Sequence, residues 1–143
     1  MTFRTTISLA VEYERLKALA RHLRSQCIRT RNTDNLNEIV NEFLPLLRST
    51  SAAFGSVPSA MADFAKAQES DPDYDATAAF TAMKAAVDDT LTTLIAGVPK
   101  DGDGYVLDRQ MDGSGLVTPR LLTAEQKSAL NTKLDAIIAA IEA

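Results

Sequence analysis

The sequence predicts a mainly α fold: an antiparallel bundle of four to five helices, with a short β-hairpin or irregular arm before the last helix. Three observations predict it. Apolar residues recur at alternating intervals of three and four along most of the chain, the period of helices with one buried face. Alanine is abundant, while the 143 residues include only 6 glycines and 5 prolines, a mix that enters helices at little cost. Four of those 6 glycines fall between residues 99 and 122, which marks out the stretch that does not read as helix. With 45% hydrophobic and 24% charged residues, the chain has the composition and length of one folded domain, taken as residues 1–143.

The first helix is expected at residues 8–30. Leu9, Tyr13, Leu16, Ala20, Leu23 and Cys27 stand 4, 3, 4, 3 and 4 residues apart, a seam of nearly three heptads. Leu19 and Ile28 widen that stripe. Arg15, Lys17, Arg21, Arg24, Arg29 and Arg31 point mostly elsewhere, as a basic face. Spacing alone leaves open whether the seam packs within the chain or between chains.

After a break at residues 31–34, with Thr33 or Asp34 as N-cap, a second helix runs from about residue 35 into the fifties. It carries Leu36, Ile39, Val40, Phe43 and Leu47. Pro45 lies inside it; without an N–H, and crowding the preceding turn, it predicts a kink or break near residues 41–45. Gly55-Ser56-Val57-Pro58 ends the element, and Pro58 suits the first turn of a short helix at 58–69 built on Met61, Phe64 and Ala65. An acidic loop follows. Asp75 then caps a long helix at 76–96 with the stripe Ala76, Phe80, Met83, Val87, Leu91 and Leu94, and Val98 as a further candidate, before Gly97 and Pro99 stop it.

Residues 99–122 are long for a structureless connection in a compact helical domain. Tyr105–Gln110 and Leu116–Leu121 suit a hairpin around Asp112-Gly113-Ser114-Gly115, with Pro119 confining the second strand to an edge. The last helix opens on a capping box, Thr123 to Gln126, and carries Leu130, Leu134, Ile137, Ile138 and Ile141.

The residues supply no recognisable catalytic, metal or cofactor constellation. Asp101-Gly102-Asp103-Gly104 hints at a calcium loop, but aligning Gly104 with its invariant glycine puts Pro99 at the first ligand position and Gln110 at the last. Neither supplies the carboxylate required. His22 and Cys27 are the only residues of their types, and five positions on a helix turn them about 140° apart. A carboxylate-bridged metal pair needs Glu-x-x-His motifs that do not occur, and Gly113-Ser114-Gly115 lacks the lysine of a phosphate loop. No apolar run approaches the roughly 20 residues of a membrane span. Glu12 and Glu14 interrupt any leader-like apolar segment, so synthesis in the cytoplasm is expected.

Net charge is −4, divided as +3 over residues 1–62, −7 over 63–112 and zero over 113–143. That division suits complementary surfaces on neighbouring copies or two solvated faces of one domain. Two candidate surfaces result. The arm offers Tyr105, Leu107, Arg109, Leu116 and Arg120 as partner-binding residues, because excursions between firm helices often carry binding. The basic face of the first helix offers the alternative: a regulatory or anti-host binding module that contacts nucleic acid or an acidic protein. Against nucleic acid, the chain is acidic overall and no aromatic interleaves the arginines.

The opening ISLAVEYERLKALARHLRSQ and the closing GSGLVTPRLLTAEQKSALNTKLDAIIAAIEA resemble the small helical proteins encoded among the virion structural genes of tailed bacteriophages. The resemblance carries over no functional residue. It implies a non-enzymatic tail, neck, baseplate or capsid-associated component in the virion, without cofactor or small-molecule substrate. Its partners would be other virion proteins and copies of itself.

Overall fold

Helix α1 spans Thr6–Thr30 in the computed structural model of the chain, which describes residues 6–33, 35, 38–96 and 124–143. Its heptad seam faces inward: Tyr13, Ala20, Leu23 and Cys27 are buried, and Leu9, Leu16 and Leu19 pack half-buried against the same core. Residues of the same chain provide the cover, so the seam packs within the molecule. Ile28 departs from expectation and is exposed. One residue past Cys27, it is turned about 100° further round the helix, off the inner face.

The C-terminus of α1 is closed from far away in sequence. Lys127 donates to the Thr30 carbonyl at 2.6 Å and also to the Thr33 carbonyl. An ammonium there meets both the unpaired carbonyls and the negative end of the helix dipole. Of the two expected caps, Asp34 lies outside the described residues; the Thr33 hydroxyl accepts the Asn35 N–H at 3.3 Å, and Asn35 Oδ1 in turn accepts the Glu38 N–H at 3.3 Å. The Thr33 hydroxyl also donates to Glu38 Oε2 at 3.0 Å.

The disturbance expected before Pro45 is a widening. Ile39–Phe43 forms a π-helical turn that continues directly into α2, Leu44–Phe54, with the Leu44 N–H bonded to the Ile39 carbonyl five residues back. The wider turn gives the proline ring room that a regular helix denies it. Ile39, Phe43, Leu44, Leu47 and Phe54 stay buried through it.

Helix α3, Ser59–Gln68, buries Met61 and Ala65, and begins one residue after the extended Pro58. Its end is a Schellman turn. The Asp71 N–H reaches the Lys66 carbonyl at 3.1 Å, the Ser70 N–H reaches that of Ala67 at 3.3 Å, and Ser70 is left-handed with φ of 54°. Helix α4, Ala76–Ala96, starts as expected on Asp75, whose Oδ1 accepts the Ala78 N–H at 3.1 Å. It buries Ala76, Phe80, Met83, Val87 and Leu94. Helix α5, Ala124–Glu142, buries Leu130, Leu134 and Ile137, with Ile138 and Ile141 packed half-buried. Leu36, the expected hairpin at 105–121 and the capping Thr123 lie outside the described residues.

The four principal helices form a square. α1 touches α2 and α5, α4 touches the same two, and the diagonal pairs do not meet. Arg24 pairs with Glu142 at 2.6 Å and Arg31 with Asp135 at 2.9 Å, so sequence order reverses between α1 and α5. Arg29 with Glu42 reverses the order again between α1 and the π turn leading into α2. Phe54 stacks on Phe80 at 5.5 Å and Ser51 bonds Asp88, which makes α2 and α4 antiparallel. The topology is therefore up, down, up, down. α3 bridges α1 and α4, with Phe64 edge-on to Tyr13 at 6.0 Å and 80°.

Ser70 is the one non-glycine residue with positive φ among those described. Left-handed backbone costs an L-residue roughly 1–2 kcal/mol, of which glycine's greater chain entropy returns about half. Ser70→Gly is therefore expected to raise stability by roughly 0.5–1 kcal/mol, read as a higher urea midpoint with unchanged slope.

Candidate functional site

Tyr105, Leu107, Arg109, Leu116 and Arg120 lie outside the described residues. The six cations of the expected basic face are all described, five on α1 and Arg31 just past its end, and the structure does not gather them into one free basic face. Lys17, Arg24 and Arg31 stand seven apart along one flank of the inner seam. Lys17 pairs with Glu69 at 3.1 Å and Glu14 at 3.2 Å, while Arg24 and Arg31 hold Glu142 and Asp135 of α5. Arg29 pairs with Glu42 at 3.3 Å. Arg15 and Arg21 pair with no acid among the described residues. Partly exposed pairs of this kind contribute at most about 1 kcal/mol each, so their main effect is to fix helix register and neutralise charge.

Two polar clusters tie the bundle together. In the first, the Tyr13 hydroxyl donates to Glu69 Oε1 at 2.7 Å, and Lys17 Nζ donates to the same oxygen while lying 4.7 Å from the centre of the Tyr13 ring. Desolvation, then the bond to Glu69, pushes the Tyr13 hydroxyl far above its ordinary 10.0. The bonds from Tyr13 and then Lys17 hold Glu69 below its usual range. For Lys17, desolvation pulls downward, but Glu69 and Glu14 outweigh it and the ammonium is raised. The cluster straps the end of α3 to α1 and keeps Tyr13 a neutral donor.

In the second cluster, the Ser51 hydroxyl donates to Asp88 Oδ1, and Lys84 Nζ donates to Asp88 Oδ2 at 2.5 Å and to Ser51 Oγ at 3.3 Å. A serine beside a lysine and an aspartate suggests an activated nucleophile. The donors are arranged otherwise: Lys84 gives protons to both partners and offers Ser51 no lone pair. Desolvation pushes Asp88 up, yet the bonds from Lys84 and Ser51 outweigh it and hold the carboxyl below its ordinary 3.8. Gly55 makes room for this arrangement, since a Cβ there would lie 2.8 Å from Lys84 Cε.

His22 is exposed and Cys27 fully buried, so they lie on different sides of α1 as their spacing predicts. Desolvation pushes the Cys27 thiol up to about 12, which suppresses the reactive thiolate. Between α1 and the α2–α3 connection lies an open groove of about 220 Å³, lined by Glu12, Arg15, Leu16, Ser56, Pro58 and Met61. A crevice of about 20 Å³ beside Thr30, Thr33 and Glu38 has room for one water. Among the described residues, no group of three or more His, Cys, Asp or Glu is placed to hold a metal, and no helix is long and apolar enough to cross a membrane.

The exposed large hydrophobics among the described residues are Ile7 (78%), Val11 (47%) and Ile28 (41%), all on α1 and away from the core. The sequence did carry this signal, but the stronger inner seam absorbed Ile28 into its own stripe. Comparison with protein-family models, curated proteins and solved structures gave no match for the chain.

The depressed Asp88 carboxyl links stability to pH. Its contribution is complete above the unfolded value near 3.8 and is lost as pH falls through the lower folded value. Asp88→Asn is expected to cost about 1 kcal/mol at pH 7, with the gap to the native chain closing below pH ~4 in urea melts.

Proposed function

We propose that the protein is a non-enzymatic structural or assembly component, acting through protein–protein contacts as a tail, neck, baseplate or capsid-associated part of a phage particle. The observation that carries the contact-making role is the outward display of Ile7, Val11 and Ile28 on one side of one helix. Exposed hydrophobics scattered singly are ordinary. These three share a helix whose opposite side is fully committed to the core, so the helix holds them in fixed relation on a rigid ridge. The setting in a particle rests on the resemblance of residues 7–26 and 113–143 to small helical virion proteins.

The partners in this reading are other virion proteins and further copies of the chain. The competing module, a basic helix face for nucleic acid or an acidic protein, is left with Arg15 and Arg21 as cations not already paired. The test is mass spectrometry of density-gradient fractions from cells that make the protein during phage production. Peptides of the chain should co-sediment with finished particles at a constant ratio to the major capsid protein. Recovery solely at the top of the gradient would refute the reading.

A further inference from the structure

Helix α1 carries a second heptad row. Positions 7, 11, 14, 18, 21, 25 and 28 are spaced 4, 3, 4, 3, 4 and 3, and every one is exposed. At about 1.5 Å per residue the row runs roughly 30 Å along the outer side of the helix. Its ends are apolar: Ile7 and Val11 at one, Ile28 at the other. Further in stand Glu14 and Arg21, of opposite charge, on either side of Ala18. Reversing the direction of the row exchanges apolar end for apolar end and acid for base. A surface with that property is complementary to itself across a two-fold axis.

We infer that α1 pairs antiparallel with α1 of a second copy of this chain, with the two-fold axis close to Ala18. This rests on the assembly reading above and names its partner. The pairing sets Ile7 and Val11 of one copy beside Ile28 of the other, at both ends of the contact. It sets Glu14 of each copy beside Arg21 of the other. The small Ala18 side chain lets the helix axes approach closely where they cross.

The charges of the folded chain fit this occupant. Arg21 has no acid partner among the described residues of its own copy. Among the described residues Glu14 pairs only with Lys17, at 3.2 Å, and Lys17 keeps Glu69 at 3.1 Å when Glu14 turns outward. Of the cations flanking the row, Lys17, Arg24, Arg29 and Arg31 are neutralised by acids of their own copy. Arg15 stands along one edge of the row, with no acid partner among the described residues of its own copy. With few large apolar side chains per copy, the contact is weak and concentration-dependent. A particle holding many copies compensates by raising the effective concentration.

The test is solution mass by size exclusion with light scattering across a dilution series of the full chain. The native mass should rise from the 15.4 kDa of one chain toward twice that value. Glu14→Arg and Arg21→Glu should each weaken pairing about tenfold or more, because each makes both charged positions alike. Mixed in equal amounts, the two variants should restore the doubled mass, since the arginines of one then face the glutamates of the other. Circular dichroism and urea midpoints close to native establish that both variants fold. A native chain that stays at 15.4 kDa up to millimolar concentration overturns the inference, as do variants that pair like the native chain or a mixture that remains monomeric. Co-sedimentation with particles is read separately, so the pairing fails without the particle assignment failing with it.

Discussion

Tyr13, Leu23 and Cys27 are fully withdrawn from solvent, and the positions of the other helices follow from that burial. A seam of this length on α1 needs cover along both flanks, which α2 and α5 provide, and at its N-terminal end, which α3 provides through Phe64. Truncating a buried leucine in such a core costs about 2–5 kcal/mol, against at most about 1 for a surface ion pair. Packing therefore decides the fold, and the polar contacts set its register. Tyr13 is where the two meet. Its ring is core, its hydroxyl needs a partner, and Glu69 stands at the end of α3 where the left-handed Ser70 turns the chain toward α4.

The polar contacts share a logic. Lys127 to Thr30, Ser51 to Asp88, Lys133 to Asp89 at 2.6 Å and the two arginine pairs between α1 and α5 all join elements distant in sequence. Each lies at the rim of the core and excludes a helix register that the apolar stripes alone would tolerate. Locked on its inner side and at its C-terminus, α1 presents its outer side as a straight ridge.

Much of this was legible in the sequence because period and caps are local. Phe80, Met83, Val87 and Leu94 lie where the α4 stripe puts them, and Asp75 caps as its side chain suggests. Pro45 announced a disturbance, and its form, a π turn, depends on the backbone finding the least crowded path. Three features were not legible. Asn35 Oδ1 takes the Glu38 N–H while the Thr33 hydroxyl takes that of Asn35, and residue preference alone does not foresee two side chains capping in series. Lys127 reached α1 across nearly a hundred residues, and no spacing rule spans that distance. Ile28 was assigned to the inner stripe because two heptad rows overlap on one helix, and only the positions of α2 and α5 decide which row is covered. The arm residues lie outside the described residues.

The central claim is that α1 uses its inner seam within one chain and its outer row between chains. Isotope-filtered nuclear Overhauser spectra of a mixture of labelled and unlabelled chain separate the two directly. Contacts of Tyr13 with Phe64 and of Phe54 with Phe80 should appear within a chain, and contacts between chains should be confined to the outer row of Ile7, Val11, Glu14, Ala18, Arg21, Ser25 and Ile28. Contacts between chains among Tyr13, Leu23, Cys27 and Leu134 would mean that the inner seam is itself shared between molecules, and would contradict the account.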